Sequence, residues 1–247
     1  MEVDLQNVMF SIPGFKLGPL NFSVEKGTIT TVMGKNGSGK STALKLIHGD
    51  LKPFTGEVLV RGSPVSAIPE RELARRFSFV WQEINDPLSF TVRDVMNVYG
   101  YSRGNDEDSM IQALEMFGME SFIDRDFSLL SGGERRLITI ASTIYQDSDI
   151  LIMDEPTTFL DVDNQVLVYR IMRSLKDIGK TLILTMHDID AIHNISDNVV
   201  ILKNGEQIAS GPVEETLSIE NLGRAFNVPF YTYETINGKS FVSRYSP

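Results

Sequence analysis

Gly34-Lys35-Asn36-Gly37-Ser38-Gly39-Lys40-Ser41-Thr42 carries a full match to the phosphate-loop pattern, with Gly34 and Gly39 separated by four residues and followed by lysine and a hydroxyl residue. Glycines let backbone N–H groups converge on phosphate oxygens without a side-chain clash. A lysine at that place supplies a point charge toward the outer phosphates, and a serine hydroxyl there can ligand Mg²⁺. A second stretch, Ile150-Leu-Ile-Met-Asp154-Glu155-Pro156, is an apolar run ending in two acids. A strand that surfaces with a carboxylate beside a phosphate loop is where a Mg²⁺-associated aspartate belongs, which gives Asp154 that role. Successive strand residues point oppositely, so Glu155 is not expected to pair with it. Glu155 suits a general base that orients or deprotonates a water for in-line attack on a γ-phosphate.

A third stretch, SLLSGGERR at 128–136, places two glycines after a serine with a helix-like run behind them, as a second phosphate cradle would. Three single residues gain interest from these motifs. Gln82, closing the apolar run Phe77–Trp81, could touch the metal or the attacking water, although a strand-end glutamine is by itself unremarkable. His187 follows the run TLILTM, where an imidazole could stabilise transition-state charge or could be an ordinary core or loop histidine. Phe10 could stack on a nucleotide base or belong to the core. A zinc site at His187, Asp188, Asp190 and His193 is poorly supported, because the spacing of the two histidines does not put both on one helical face.

The elements that must hold these residues are legible as alternating strands and helices. Gly27 to Met33 reads as a buried strand running into the glycine loop, and a helix from about Ser41 to His48 stops at Gly49. Asp149–Met153 and Thr181–Met186 read as further buried strands. Between them, Val168, Ile171, Met172, Leu175 and Ile178 recur at helical period before Gly179. That strand, helix, strand order predicts an α/β core with a parallel sheet. Residues 91 to about 141 read as helical: Thr91-x-x-Asp94 can cap one helix, and Met110, Ile111, Leu114 and Phe117 line another. The tail alternates around Asn237-Gly238, a strong hairpin signal.

Composition removes several function classes. The 247 residues carry a formal net charge of −10, so the general field repels nucleic acid and anionic lipid, and no nucleic-acid partner is expected. RELARR at 71–76 reads as a solvated helix face. The absence of cysteine excludes disulfides and thiolate metal sites. No apolar run reaches the roughly 18–20 residues that span a bilayer, and MEVDLQNVMF lacks the regions of a signal peptide, so a cytoplasmic chain is expected.

GKNGSGKS, Gln82, LSGGE at 130–134, ILIMDEP, the Phe159-Leu-Asp161 step and His187, in this order and spacing, resemble the nucleotide-binding subunit of an ABC transporter. LSGGE is the most diagnostic element, and the resemblance covers essentially the whole chain. SPVSAIPERELARRFSFVWQ, SFTVRDV and GPVEETLSIENLGRAFNV are similar to the subfamily serving cobalamin, iron-siderophore and haem importers. The resemblance implies one ABC ATPase domain over 1–247. Its phosphate-loop (RecA-like) core of mostly parallel sheet would occupy 1–83 and 148–225, with an antiparallel β part near the N-terminus. An inserted α-helical subdomain would occupy 84–147 and a β-hairpin extension 226–247.

It further implies ATP and Mg²⁺ as cofactors, with Phe10 and residues 34–42 binding nucleotide and Ser41, Gln82 and Asp154 around the metal. Glu155 would be the base, and His187, Lys40 and Ser131 would stabilise the transition state. A head-to-tail homodimer would enclose two ATP, with Ser131, Gly132 and Gly133 contacting the γ-phosphate bound by the other copy and Asp161 crossing the same interface. Residues 83–95 would receive a coupling helix of a membrane subunit. The implied partners are two integral membrane permease subunits and, indirectly, a substrate-binding protein, on the inner face of the cell membrane. Leu137 and Ser142 stand where the family commonly has arginine, and Phe10 where it has tyrosine, so helix packing or ion pairs after LSGGE must differ. Rival readings are a soluble ABC ATPase such as an iron-sulfur assembly factor, a subunit serving another importer or exporter, and a phosphate-loop kinase, which leaves LSGGE unexplained.

Overall fold

The computed structural model describes residues 1–80, 90–101, 104–235 and 238–243. Gln82, most of the 83–95 segment and Asn237 lie outside the described residues. The chain forms two compact units, Met1–Ile68 with Ile183–Pro247, and Pro69–Leu182. The fold is α/β, with parallel strands at its core and separate antiparallel sheets. No helix among the described residues is long and apolar enough to cross a membrane.

In the first unit, β1 (Val3–Ile12) and β2 (Phe15–Val24) pair antiparallel with Val3 opposite Val24. β3 (Ile29–Gly34) is buried along its whole length and leads through residues 35–39 into α1 (Lys40–His48). Ala43, Leu44, Leu46 and Ile47 of α1 are buried, and Gly49 ends the helix at φ 94°, a left-handed conformation that costs glycine little. β4 (Thr55–Val60) and β5 (Ser63–Pro64) complete an antiparallel sheet of order β2-β1-β4-β5.

The second unit begins with α2 (Glu70–Arg76), which buries no residue and so is a solvated face, and β6 (Phe77–Val80). α3 (Val92–Gly100) starts at a capping box: Thr91 Oγ1 accepts from Asp94 N at 3.2 Å, and Asp94 Oδ2 accepts from Thr91 N at 2.9 Å. α4 (Glu107–Glu115) buries Met110 and Leu114. Both helices pack on α5 (Gly132–Tyr145), whose residues from Arg136 to Thr143 are all buried. β7 (Ile150–Asp154) runs parallel to β6, with Phe77 opposite Ile150 and Val80 opposite Met153. α6 (Val162–Asp177) follows, capped by Asp161, and buries Val168, Ile171, Met172 and Leu175. Each such side chain contributes about 1.5–3 kcal/mol of hydrophobic stabilisation. The chain leaves this unit within β8 (Thr181–Thr185).

Back in the first unit, α7 (Ile189–Ile195) is capped by Asp188, and β9 (Asn198–Lys203) runs parallel to β3 with Gly34 opposite Leu202. β10 (Glu206–Pro212) turns back antiparallel on β9. After α8 (Val213–Thr216) and α9 (Ile219–Phe226), β11 (Phe230–Thr235) and β12 (Gly238–Ser243) pair antiparallel. That hairpin docks on α7 where Phe241 N donates to Asp190 Oδ1 at 2.9 Å.

Candidate functional site

The first unit contributes a preformed phosphate loop. A methyl group placed on Gly34 would stand 2.3 Å from the Leu202 carbonyl oxygen and 2.6 Å from Ser38 Oγ, so the pairing of β3 with β9 leaves room only for glycine there. The loop closes on itself through Ser38 N donating to Lys35 O at 3.1 Å. It is also tied from behind: the Gly205 amide donates to Ser38 O at 3.0 Å, while Gly18 N donates to Gly205 O at 2.7 Å.

Lys35, Asn36 and Gly37 are exposed at the rim, whereas Ser38 and Lys40 are buried, and Ser41 and Thr42 are half-buried in the first turn of α1. Lys40 Nζ donates to Gly34 O at 3.1 Å and Lys35 O at 3.4 Å, which draws the ammonium across the loop. Three observations fit a phosphate-bearing nucleotide. Ser38 Oγ is buried with no hydrogen-bond partner among the described residues. The N-cap of α1 is Gly39, at φ 105°, with no side chain to cap the first amides. The ammonium of Lys40 completes a positively polarised turn.

Gly34→Ala is expected to lower stability by about 1–3 kcal/mol, because backbone rather than a flexible side chain must move. Gly37→Ala, with no heavy atom within 4 Å of the added methyl group, should cost only the roughly 1–2 kcal/mol of a left-handed alanine. Urea unfolding of the two variants checks the contrast, and equal midpoints would mean that β3 and β9 yield easily at Gly34.

Phe10 lies half-exposed on β1 opposite Leu17. An aromatic edge that does reach the loop is that of Phe15 on β2: a methyl group on Gly39 would stand 3.2 Å from Phe15 Cζ and 2.6 Å from Leu17 Cδ1. Only the fold brings Phe15 there, since the Pro13-Gly14 turn gives no sign of which strand lies over the loop. His187 is exposed, after β8 and directly before the Asp188 cap of α7.

The second unit contributes the acids and the LSGGE segment. Asp154 is 2% exposed at the end of β7. The alternation expected of a strand stops there, because Glu155 turns into the left-handed region at φ 50°. The two carboxylates are thus set by a turn rather than by opposite faces of one strand. Thr158 Oγ1 donates to Glu155 Oε2 at 3.3 Å, and Thr158 N to Glu155 O at 3.1 Å. The Asp154 carboxylate, and separately the Ser41 hydroxyl of the first unit, are oxygen donors of the kind a hard cation such as Mg²⁺ takes.

Ser131, Gly132 and Gly133 open α5, and the motif first serves its own helix. Ser131 Oγ accepts from Glu134 N at 3.3 Å, and Glu134 Oε2 accepts from Ser131 N at 2.8 Å. The serine hydrogen bonds hold the Glu134 carboxyl below its usual pKa, so the cap is intact at neutral pH and lost only as pH falls through that lowered value. The spacing Ser-x-x-Glu shows this cap in the sequence, where the glycines draw attention first. A methyl group on Gly133 would stand 3.3 Å from Phe159 O and 3.7 Å from Leu160 Cδ2, so the LSGGE turn lies close against the Phe159–Asp161 step. Phe159 is 76% exposed at φ 70°, and the Asp161 carboxylate accepts from Asn164 N at 2.9 Å.

Leu137 and Ser142 are both buried on α5. The Ser142 hydroxyl donates back to Ile138 O at 2.8 Å and lies on Met96 Sδ of α3, so these positions pack helices together. The buried guanidinium of this helix sits instead at Arg136, and composition gives no reason to expect a buried arginine.

A family model described as "ABC transporter" matches residues 17–158. An iron(3+)-hydroxamate import ATP-binding protein, FhuC, from Bacillus subtilis is 32% identical over 218 residues, covering 85% of this chain and 81% of its own. An ABC transporter described as of metal-chelate type, solved in an inward-facing conformation, superposes with a TM-score of 0.85 at 27% identity, covering 99% of this chain and 98% of that one. An ATP-binding cassette solved as a dimer in a post-hydrolysis state with ADP and Pi has a TM-score of 0.77 at 26% identity, covering 85% and 98%.

Proposed function

The chain belongs to the ABC transporter family, and on that premise we propose that it is the ATP-hydrolysing subunit of an importer for an iron-siderophore type of metal chelate. As an ABC ATP-binding domain it is an ATPase. The observation that carries the reading is the LSGGE start of α5 packed against the Phe159–Asp161 step, a surface on which Ser131, Gly132, Phe159 and Asp161 are all exposed. Two copies associate head to tail, each presenting Ser131, Gly132 and Gly133 to the γ-phosphate held by the phosphate loop of the other, with Asp161 at the same interface. The dimeric cassette with ADP and Pi supports this arrangement.

Within one copy, residues 34–42 hold the phosphates and Phe10 or Phe15 meets the base. Glu155 takes a proton from the attacking water, and Lys40, His187 and Ser131 stabilise charge on the phosphoryl oxygens. Mg²⁺, when bound, neutralises phosphate charge, with Ser41, Asp154 and Gln82 as the residues that would hold it. Hydrolysis reopens the dimer, and the movement passes to two membrane permease subunits, with the chain peripheral on the inner face of the cell membrane; a substrate-binding protein acts through them.

The substrate class is supported by the iron-hydroxamate importer and the metal-chelate transporter among the similar proteins. Purification from membranes together with its permease, followed by uptake into proteoliposomes, tests it. Ferric hydroxamate should enter in an ATP-dependent way. Uptake of haem or cobalamin alone would replace the substrate class, and export would replace the direction.

A further inference from the structure

Arg136 is 2% exposed, and its guanidinium faces inward onto three consecutive backbone carbonyls of the turn that carries the acids. Nε donates to Pro156 O at 3.1 Å, and Nη2 donates to Glu155 O at 2.7 Å and to Asp154 O. We propose that Arg136 is a positioning residue for hydrolysis: by clamping the Asp154–Glu155–Pro156 turn it holds the Glu155 carboxylate in line for the attacking water.

The chemistry of the contact argues for a device rather than for filler. A buried charge is costly unless several acceptors surround it, and a planar guanidinium is the side chain that can serve carbonyls spaced along one turn. Glu155 needs such a hold. It lies at φ 50°, in a region that a non-glycine residue leaves unless its surroundings fix it. Within the turn, Thr158 Oγ1 donates to its carboxylate at 3.3 Å, a long hydrogen bond. Burial lowers the Arg136 pKa to about 10, with the Asp154, Glu155 and Tyr99 charges opposing the fall, so the clamp stays charged at neutral pH. Tyr99 lies on α3, where burial raises its pKa and the nearby guanidinium pulls it back. The same arginine therefore touches the field of α3 and the backbone of the acid turn, and all of these residues belong to the 69–182 unit.

The inference rests on Glu155 being the base, so both are tested together on the 247-residue chain. Arg136→Lys keeps the charge but cannot reach three carbonyls. Turnover number should fall by about ten- to a hundredfold, the loss expected when a reacting group is displaced by around an ångström, while affinity for a fluorescent ATP analogue changes less than twofold. In a Glu155→Gln background there is no base left to misplace, so adding Arg136→Lys should change residual single-turnover hydrolysis less than twofold. Arg136→Gln is the second variant. A turnover number within twofold of wild type, equal weakening of nucleotide binding, or a full further loss in the Glu155→Gln background overturns the positioning role. Failure of both variants to fold does so too, because the arginine is then structural. If Glu155→Gln alone keeps the wild-type rate, it is the base assignment that fails.

Discussion

Glu155→Gln is expected to reduce steady-state ATP hydrolysis by at least about 10²-fold, the range removed with a general base, while leaving nucleotide affinity close to wild type. That loss corresponds to roughly 3 kcal/mol of transition-state stabilisation. The substitution is nearly isosteric, and the carboxylate lies half-exposed in its turn, so stability should hardly change. Glutamine can keep the contact from Thr158 Oγ1, which reaches Glu155 Oε2 at 3.3 Å. With binding intact and cleavage blocked, MgATP should convert the purified monomer to a dimer on size exclusion. A monomer that persists at saturating ATP would remove the head-to-tail arrangement, whatever the turnover shows.

Ser131→Arg should separate the two halves of the site. Ser131 is exposed at the start of α5, so an arginine there projects outward and clashes only with something docked on that face. The loss of the N-cap costs about 1 kcal/mol, which a helix buried from Arg136 to Thr143 tolerates. Nucleotide binding to the monomer, which the phosphate loop supplies, should remain within about twofold, whereas the MgATP-dependent dimer of the Glu155→Gln protein should vanish. Loss of monomeric binding instead would mean that LSGGE serves the nucleotide of its own copy.

The parts of this molecule that were legible in sequence are those where local chemistry decides the backbone. Gly49 stops α1, Thr91 and Asp94 box the start of α3, and the period of Val168, Ile171, Met172 and Leu175 marks the buried stripe of α6. Other features were not. Glu155 and Phe159 adopt left-handed backbone without being glycine or asparagine, so nothing in their identity announces a turn, and strand alternation carried one residue too far. Arg136 opens a run to Thr143 that is buried on every side of α5, which leaves no polar face from which to infer where its charge goes. Phe15 meets the phosphate loop only because β2 folds across it.

The Asn204-Gly205 turn has a consequence for the thermodynamics of nucleotide association. A side chain on Gly205 would lie 1.9 Å from Lys16 O, and its amide holds Ser38 O, so strand β2, the turn and the phosphate loop form one backbone-to-backbone stack. Fixing a residue's backbone costs about 1–2 kcal/mol of conformational entropy. For residues 35–39 that cost is met when the chain folds, and an arriving nucleotide finds amides already aimed. Association should therefore be governed by desolvation of the triphosphate rather than by ordering of the loop, and loosening the Asn204-Gly205 turn should weaken affinity from a distance without removing a single phosphate contact.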